Sequence, residues 1–174
     1  MPPITVMVKP VSGACNMRCR YCFYADEMQH RNASVYPRMT SELLDVMVRR
    51  VIRSADSSVH FLFQGGEPTL IGLPFFEQLI RLERKYNLRG LKITNAVQTN
   101  GYHLSDEMIA FFAKEQFLVG VSLDGTNETH DKANRYSKVS GNADKIALII
   151  IKMQGLVKKL LNFIFRLLFK ICQL

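Results

Sequence analysis

Strand-like and helix-like stretches alternate strictly along most of this chain, at roughly 30 residues per unit, and that rhythm admits few folds. Ile4 to Lys9 reads as a first strand. Thr40 suits a helix N-cap, and Leu43, Leu44, Met47, Val48, Val51 and Ile52 follow it at helical spacing. Glu42 lies early in that helix and Arg49, Arg50 and Arg53 lie late, as the helix dipole prefers. Val59 to Phe63 reads as a buried strand. Pro74 suits a first helical position, ahead of an apolar face of Phe75, Phe76, Leu79, Ile80, Leu82 and Tyr86 that Asn87 ends. A third strand is expected over Leu91 to Val97. Ser105 caps a third helix with Asp106 and Glu107 in its first turn and Ile109, Phe111 and Phe112 on its apolar face. A fourth strand is expected over Phe117 to Leu123. The pattern predicts βαβ repeats and a parallel sheet, an α/β fold.

A polar cluster follows each strand: the segment CNMRCRYCFY, then GGEP, QTNG and SLDG. Each alone reads first as a turn. In parallel α/β folds, however, ligands gather at the carboxyl ends of the strands, so four such clusters at corresponding positions predict one shared site.

The first cluster carries the chemistry. Cys15, Cys19 and Cys22 lie within eight residues. Three thiols that close suit a soft metal site better than disulfides, because one is always left over. A [4Fe–4S] cluster takes four ligands, so a loop supplying three leaves one iron open to another molecule. The alternative is a closed zinc site of the Cys3His type, with His30 as fourth ligand. No paired spacing recommends His30, His60, His103 or His130 for catalysis, and no catalytic residue is assigned.

With 174 residues, 48% of them apolar and 22% charged, the chain is long enough to bury a core and too apolar to be disordered. The net charge of +8 raises the question of nucleic acid. The excess is local. Residues 1–144 hold 17 Lys/Arg against 15 Asp/Glu, whereas residues 145–174 hold six Lys/Arg and no acid. The body is nearly neutral, and no nucleic-acid partner is expected. No secretory signal precedes the first strand, and clustered free thiols fit a reducing cytoplasm.

The words Lys9-Pro10, CNMRCRYCFY, FQGGEPTL, QTNG and GVSLDG, in that order over about residues 4 to 145, resemble the radical S-adenosylmethionine (SAM) enzymes, and within them the anaerobic sulfatase-maturating enzymes. The resemblance implies a partial (β/α)6 TIM-like barrel, here reduced to about the first four or five βα units. It implies a [4Fe–4S] cluster on Cys15, Cys19 and Cys22, and SAM bound near Tyr21, Gly66, Glu67, Ser122 and Arg135. Tyr21 would lie by the adenine. Gly66 would let the backbone approach the methionine moiety, and Glu67 would complete the site for its ammonium. Ser122, more than Asp124, would meet the ribose and the SAM tail, and Arg135 would pair with the carboxylate. The implied reaction oxidises a Cys or Ser of a sulfatase polypeptide to formylglycine through a 5′-deoxyadenosyl radical, with electrons from a flavodoxin- or ferredoxin-type donor. Tyr24 and Gln64 are candidates to face the peptide. Alternatives are a thioether-forming maturase of the same group, or a non-catalytic metal-binding remnant.

The last stretch breaks the pattern. From Ala147, Leu, Ile, Phe and Lys dominate and acids vanish. Residues 1–145 are therefore expected to form the N-terminal part of a radical SAM core, and residues 146–174 an aberrant tail, with the auxiliary-cluster domain of the family absent. Only Cys172 follows Cys22, too few thiols for a further cluster. A polar stripe of Lys159, Asn162, Arg166, Lys170 and Gln173 suits a membrane-surface helix, Leu160 to Leu168 suits a fifth strand, and a shift of coding frame near residue 146 would explain the change outright. Lys and Arg interrupt the stretch too often for a membrane span. A half-closed barrel would expose apolar edges, so poor solubility is expected.

Overall fold

The computed structural model describes residues 3–19, 21–30, 36–123, 149 and 168–170. Five strands form one sheet in chain order: β1 (Ile4–Val8), β2 (Ser58–Phe63), β3 (Lys92–Thr99), β4 (Leu118–Ser122) and β5 (Leu168–Lys170). Every neighbouring pair is parallel. Helices α1 (Phe23–Gln29), α2 (Ser41–Ser54), α3 (Leu73–Tyr86) and α4 (Asp106–Lys114) fall between the first four strands. A parallel sheet in sequential order with helical crossovers is the opening half of a (β/α) barrel, as expected. Asp124, Arg135 and most of the tail lie outside the described residues, apart from Ile149 and β5.

The caps are those read from the sequence. Thr40 accepts the N–H of Leu43 at 3.2 Å, and Ser105 accepts that of Met108 at 3.2 Å. Each satisfies one of the donors a helix start leaves open. Pro74 stands one position later than expected, because α3 opens at Leu73 behind Gly72, whose φ is 95°. The third strand runs two residues beyond Val97, to Thr99. Two elements were unforeseen: α1, seven residues with no side-chain cap, and the 3-10 turn Pro68–Ile71.

The sheet has two unlike faces. On the helix-covered face Val8, Val59, Phe61, Phe63, Val97, Val119 and Val121 are buried against Leu44, Val48, Ile52, Leu79 and Ile109. Phe76 is the hub, with edge-on contacts to Phe63, Phe75, Phe112 and Phe117 at centroid distances of 5.1–5.9 Å. Edge-to-face rings at this range add to the burial of their area. The opposite, concave face is layered by the register. Thr5, His60 and Thr94 form one cross-strand row, and Met7, Leu62, Ala96 and Leu118 the next. His60 Nδ1 lies 2.5 Å from Thr94 Oγ1, which ties two members of the lower row. Met7, in the apolar row, is 53% exposed, which fits the open half-barrel. Among the described residues no helix is long and apolar enough to cross a membrane.

One polar pair lies under the covered face. Asn95 Nδ2 donates to Glu83 Oε2 at 3.1 Å, and both residues are buried. Burial pushes the Glu83 carboxyl up to about 7, against the opposing pull of Asn95 and Arg84 and with a small push from Glu115. Glu83 Oε1 and Asn95 Oδ1 are both buried without a partner among the described residues, an arrangement that a proton on Glu83 relieves. The folded pKa of about 7 exceeds the ordinary 4.5, so between those values the native chain binds more protons than the unfolded one. Stability should therefore fall as pH rises through that window, by about 3 kcal/mol at most. Glu83→Gln should flatten the dependence and make the chain more stable than its parent at pH 8, as read by urea titration across pH.

Candidate functional site

The polar clusters converge at the carboxyl end of the sheet, and one residue, Glu67, joins three of them. Glu67 is 1% exposed. Its Oε1 accepts from Thr69 N at 3.0 Å, Thr69 Oγ1 at 2.6 Å and Thr99 Oγ1 at 2.8 Å, and its Oε2 accepts from Asn100 N at 2.7 Å. Its own N–H donates to the carbonyl of Ala14 in the Cys loop at 2.9 Å. The residue after β2 thus holds the end of β3 by its side chain and the Cys loop by its backbone. A buried carboxylate is tolerable when donors saturate it, and here four protein donors do. Oε1 takes three of these bonds and Oε2 one.

Gly66 is needed for a related reason. Its φ is 59°, and a methyl group on it would overlap the carbonyl oxygen of Ala14. The close approach that excludes a side chain is to the Cys loop itself. Gly65, at φ 109°, lies against the stem of Lys9. Lys9 in turn sits 4.3 Å over the ring of Tyr24 and 3.4 Å from Glu27 Oε2, which docks α1 beside the end of β1. Tyr24, a candidate to face a peptide, therefore has its ring under a lysine.

Cys15, Cys19 and Cys22 are free thiols, exposed or half-buried. Cys15 Sγ accepts from Met17 N at 3.4 Å and from Asn100 Nδ2 at 3.9 Å. Asn100 also donates to Asn16 Oδ1 at 2.8 Å, and its own Oδ1 accepts from Tyr102 N at 2.9 Å. Although Cys15 as a residue is exposed, desolvation of the thiol raises its pKa. The Met17 N–H opposes that, Glu67 and Cys22 add to it, and Asn100 opposes it weakly. Loading metal on this sulfur must therefore release a proton.

Three features bear on what the loop can hold. The donor set is three thiols. The Asn16 Nδ2 donor beside Cys15 is buried with no partner among the described residues, and an anionic, sulfur-rich group would satisfy it. Among the described residues no three His, Cys, Asp or Glu side chains converge as a single metal ion requires. A cubane places its cysteine ligands on different irons, so its thiols need not meet at one point. The residues fit an iron–sulfur cluster.

Of the other expected residues, those within the described segments lie at the same end. Tyr21 is 40% exposed within the Cys loop. Ser122 ends β4, and its Oγ accepts from Gln98 Nε2 at 3.0 Å. Gln64 follows β2 with its N–H bonded to the carbonyl of Val8 at 3.1 Å. Asn100, Thr99 and Gln98 had no assigned role in the sequence. The QTNG cluster marked their neighbourhood, but their partners are 24 to 85 residues away in sequence. Replacing Glu67 by Gln should cost about 1–3 kcal/mol, because the new NH2 group must face one of four donors. Thr99→Val, which removes one donor and leaves three, should cost less. Urea unfolding of the two variants beside the parent measures both.

Comparison with known proteins places these observations in a family. The model of the Radical SAM superfamily matches residues 10–157. The cysteine-type anaerobic sulfatase-maturating enzyme of Clostridium perfringens (strain 13 / Type A) is 47% identical over 131 residues, which cover 75% of this chain and 35% of that enzyme. The serine-type anaerobic sulfatase-maturating enzyme of Bacteroides thetaiotaomicron is 39% identical over 141 residues, 79% of this chain and 34% of that enzyme. The solved structure of native anSMEcpe with bound AdoMet superposes with a TM-score of 0.79 at 39% identity, covering 88% of this chain and 42% of that one. The chain thus spans about a third of the length of the curated relatives it matches.

Proposed function

The chain belongs to the radical SAM superfamily, and from that premise we propose that residues 4–145 form the cluster- and SAM-binding part of a maturase that oxidises a Cys or Ser of a sulfatase polypeptide to formylglycine. The observation that carries the proposal is the joining of the three-thiol loop to the ends of β2 and β3 through Glu67 and Asn100. It rests also on the homology to cysteine- and serine-type sulfatase-maturating enzymes.

Cys15, Cys19 and Cys22 would hold a [4Fe–4S] cluster as thiolates. Tyr21, Gly66, Glu67, Ser122 and Arg135 would take SAM. When bound, cluster and SAM together supply the one-electron chemistry that removes a hydrogen from the β-carbon of the target residue. The chain's own contribution is positional. The N–H groups of Met17 and Asn100 point at the Cys15 sulfur, and donors of that kind stabilise charge on a ligating sulfur. Glu67 fixes the loop and the turn that carries Gly66. Ser122 presents a hydroxyl from the end of β4. A sulfatase polypeptide, an electron donor of flavodoxin or ferredoxin type, and a reducing cytoplasm complete the reading.

Anaerobic reconstitution tests it. The chain should take up about four irons, turn brown and bind SAM, and Cys19→Ala should lose the cluster. Sulfatase peptides bearing Cys or Ser, offered beside peptides of thioether-type substrates, identify the substrate class in a protein that carries this segment at the length of its relatives. Stoichiometric zinc with no iron uptake would falsify the proposal.

A further inference from the structure

We propose that Gln98 is a positioning residue for the Ser122 hydroxyl, and that Gly120 lacks a side chain to make room for it. The inference rests on the reading that Ser122 contacts bound SAM, and it goes on to say what orients that contact.

Gln98 of β3 and Gly120 of β4 are direct cross-strand partners on the concave face. Ser122 is the next residue on the same face of β4, two positions on. The Gln98 side chain lies across Gly120, and its Nε2 donates to Ser122 Oγ at 3.0 Å. Nothing in the backbone of Gly120 calls for glycine, since it is not among the residues with positive φ. Glycine inside a strand weakens it and marks a close approach. Here the approach is by an amide: a methyl on Gly120 would overlap Gln98 Oε1 and lie 3.1 Å from Cδ.

The direction of the bond matters. A serine hydroxyl has one proton to give and two lone pairs to accept with. Gln98 fills an acceptor position, and among the described residues no other partner of that hydroxyl is found. The Ser122 proton is then left for an acceptor oxygen on a ligand, such as a ribose hydroxyl or an α-carboxylate. Without Gln98 the hydroxyl is free to rotate, and the ligand must order it on binding.

A double-mutant cycle for SAM binding, run by anaerobic titration calorimetry on the cluster-loaded full chain, tests this. Ser122→Ala should weaken binding by about tenfold, and Gln98→Met, which keeps the length and drops the donor, by about three- to tenfold. If Gln98 acts through Ser122, adding Gln98→Met to Ser122→Ala should weaken binding no further. An equal loss in both backgrounds, or none in either, overturns the positioning role. An unchanged Kd for Ser122→Ala overturns the reading beneath it, a separate outcome. The steric half is read without any ligand. Gly120→Ala should lower the melting temperature, and Gln98→Ala in the same chain should recover most of the loss. A Gly120→Ala chain as stable as its parent would show that the amide does not need the space.

Discussion

A single buried carboxylate organises the carboxyl end of this sheet. Glu67 accepts from the turn that follows it, from the last residue of β3 and from the residue beyond, while its backbone N–H holds Ala14. Burying a charge is costly unless hydrogen bonds replace the lost water, and here every one of those bonds comes from a segment that the site needs in place. Remove the carboxylate and its donors are left unsatisfied in a dry region, which is the expensive state. The glycine before it works to the same end. With no side chain, Gly66 lets the β2 turn and the Cys loop meet backbone to backbone. The geometry around Cys15 therefore depends on residues outside the thiol loop itself.

The two faces of the sheet divide the labour. Phenylalanines and valines on the covered face supply the burial that makes the strands rigid. The concave face is poorer in large side chains and is layered by register, with the polar row of Thr5, His60 and Thr94 below, the apolar row of Met7, Leu62, Ala96 and Leu118 above it, and Gln98 beside Gly120 above that. Because side chains alternate strictly along a strand, the residues that anchor the core and the residues that approach a ligand are neighbours in sequence yet lie on opposite sides. Val97 and Gln98 are one such pair; Val121 and Ser122 are another.

Much of this was legible in the sequence, for physical reasons. Periodic apolar spacing located α2, α3 and α4, and the hydroxyls of Thr40 and Ser105 marked two helix starts because a short oxygen side chain is what an open N–H requires. Three cysteines in eight residues announced the site. What escaped was of another kind. Helix α1 is too short to show a period, exposes Phe23 and has no side-chain cap. Glu83 lies in a charged run, RLERKY, that reads as solvent-facing, and only the packing of α3 on Asn95 reveals it as buried. That the Ala14 carbonyl also stands where a Gly66 side chain would be is set by the Cys loop folding back on the β2 turn, which no local pattern shows. Glu67, Asn100 and Gln98 take their roles from partners far away in sequence, which no local pattern encodes.

The strand order carries a consequence for how such a protein is made. Because β1 to β4 are laid down side by side in the order in which they are translated, a growing polypeptide emerging from the ribosome meets its partners as they appear, and domains begin to fold during synthesis. The most distant support of Cys15 in sequence, the Asn100 amide, is translated after about a hundred residues. From that moment the nascent chain has every described group that braces the thiol loop, long before the remainder of a protein as long as its relatives would leave the exit tunnel.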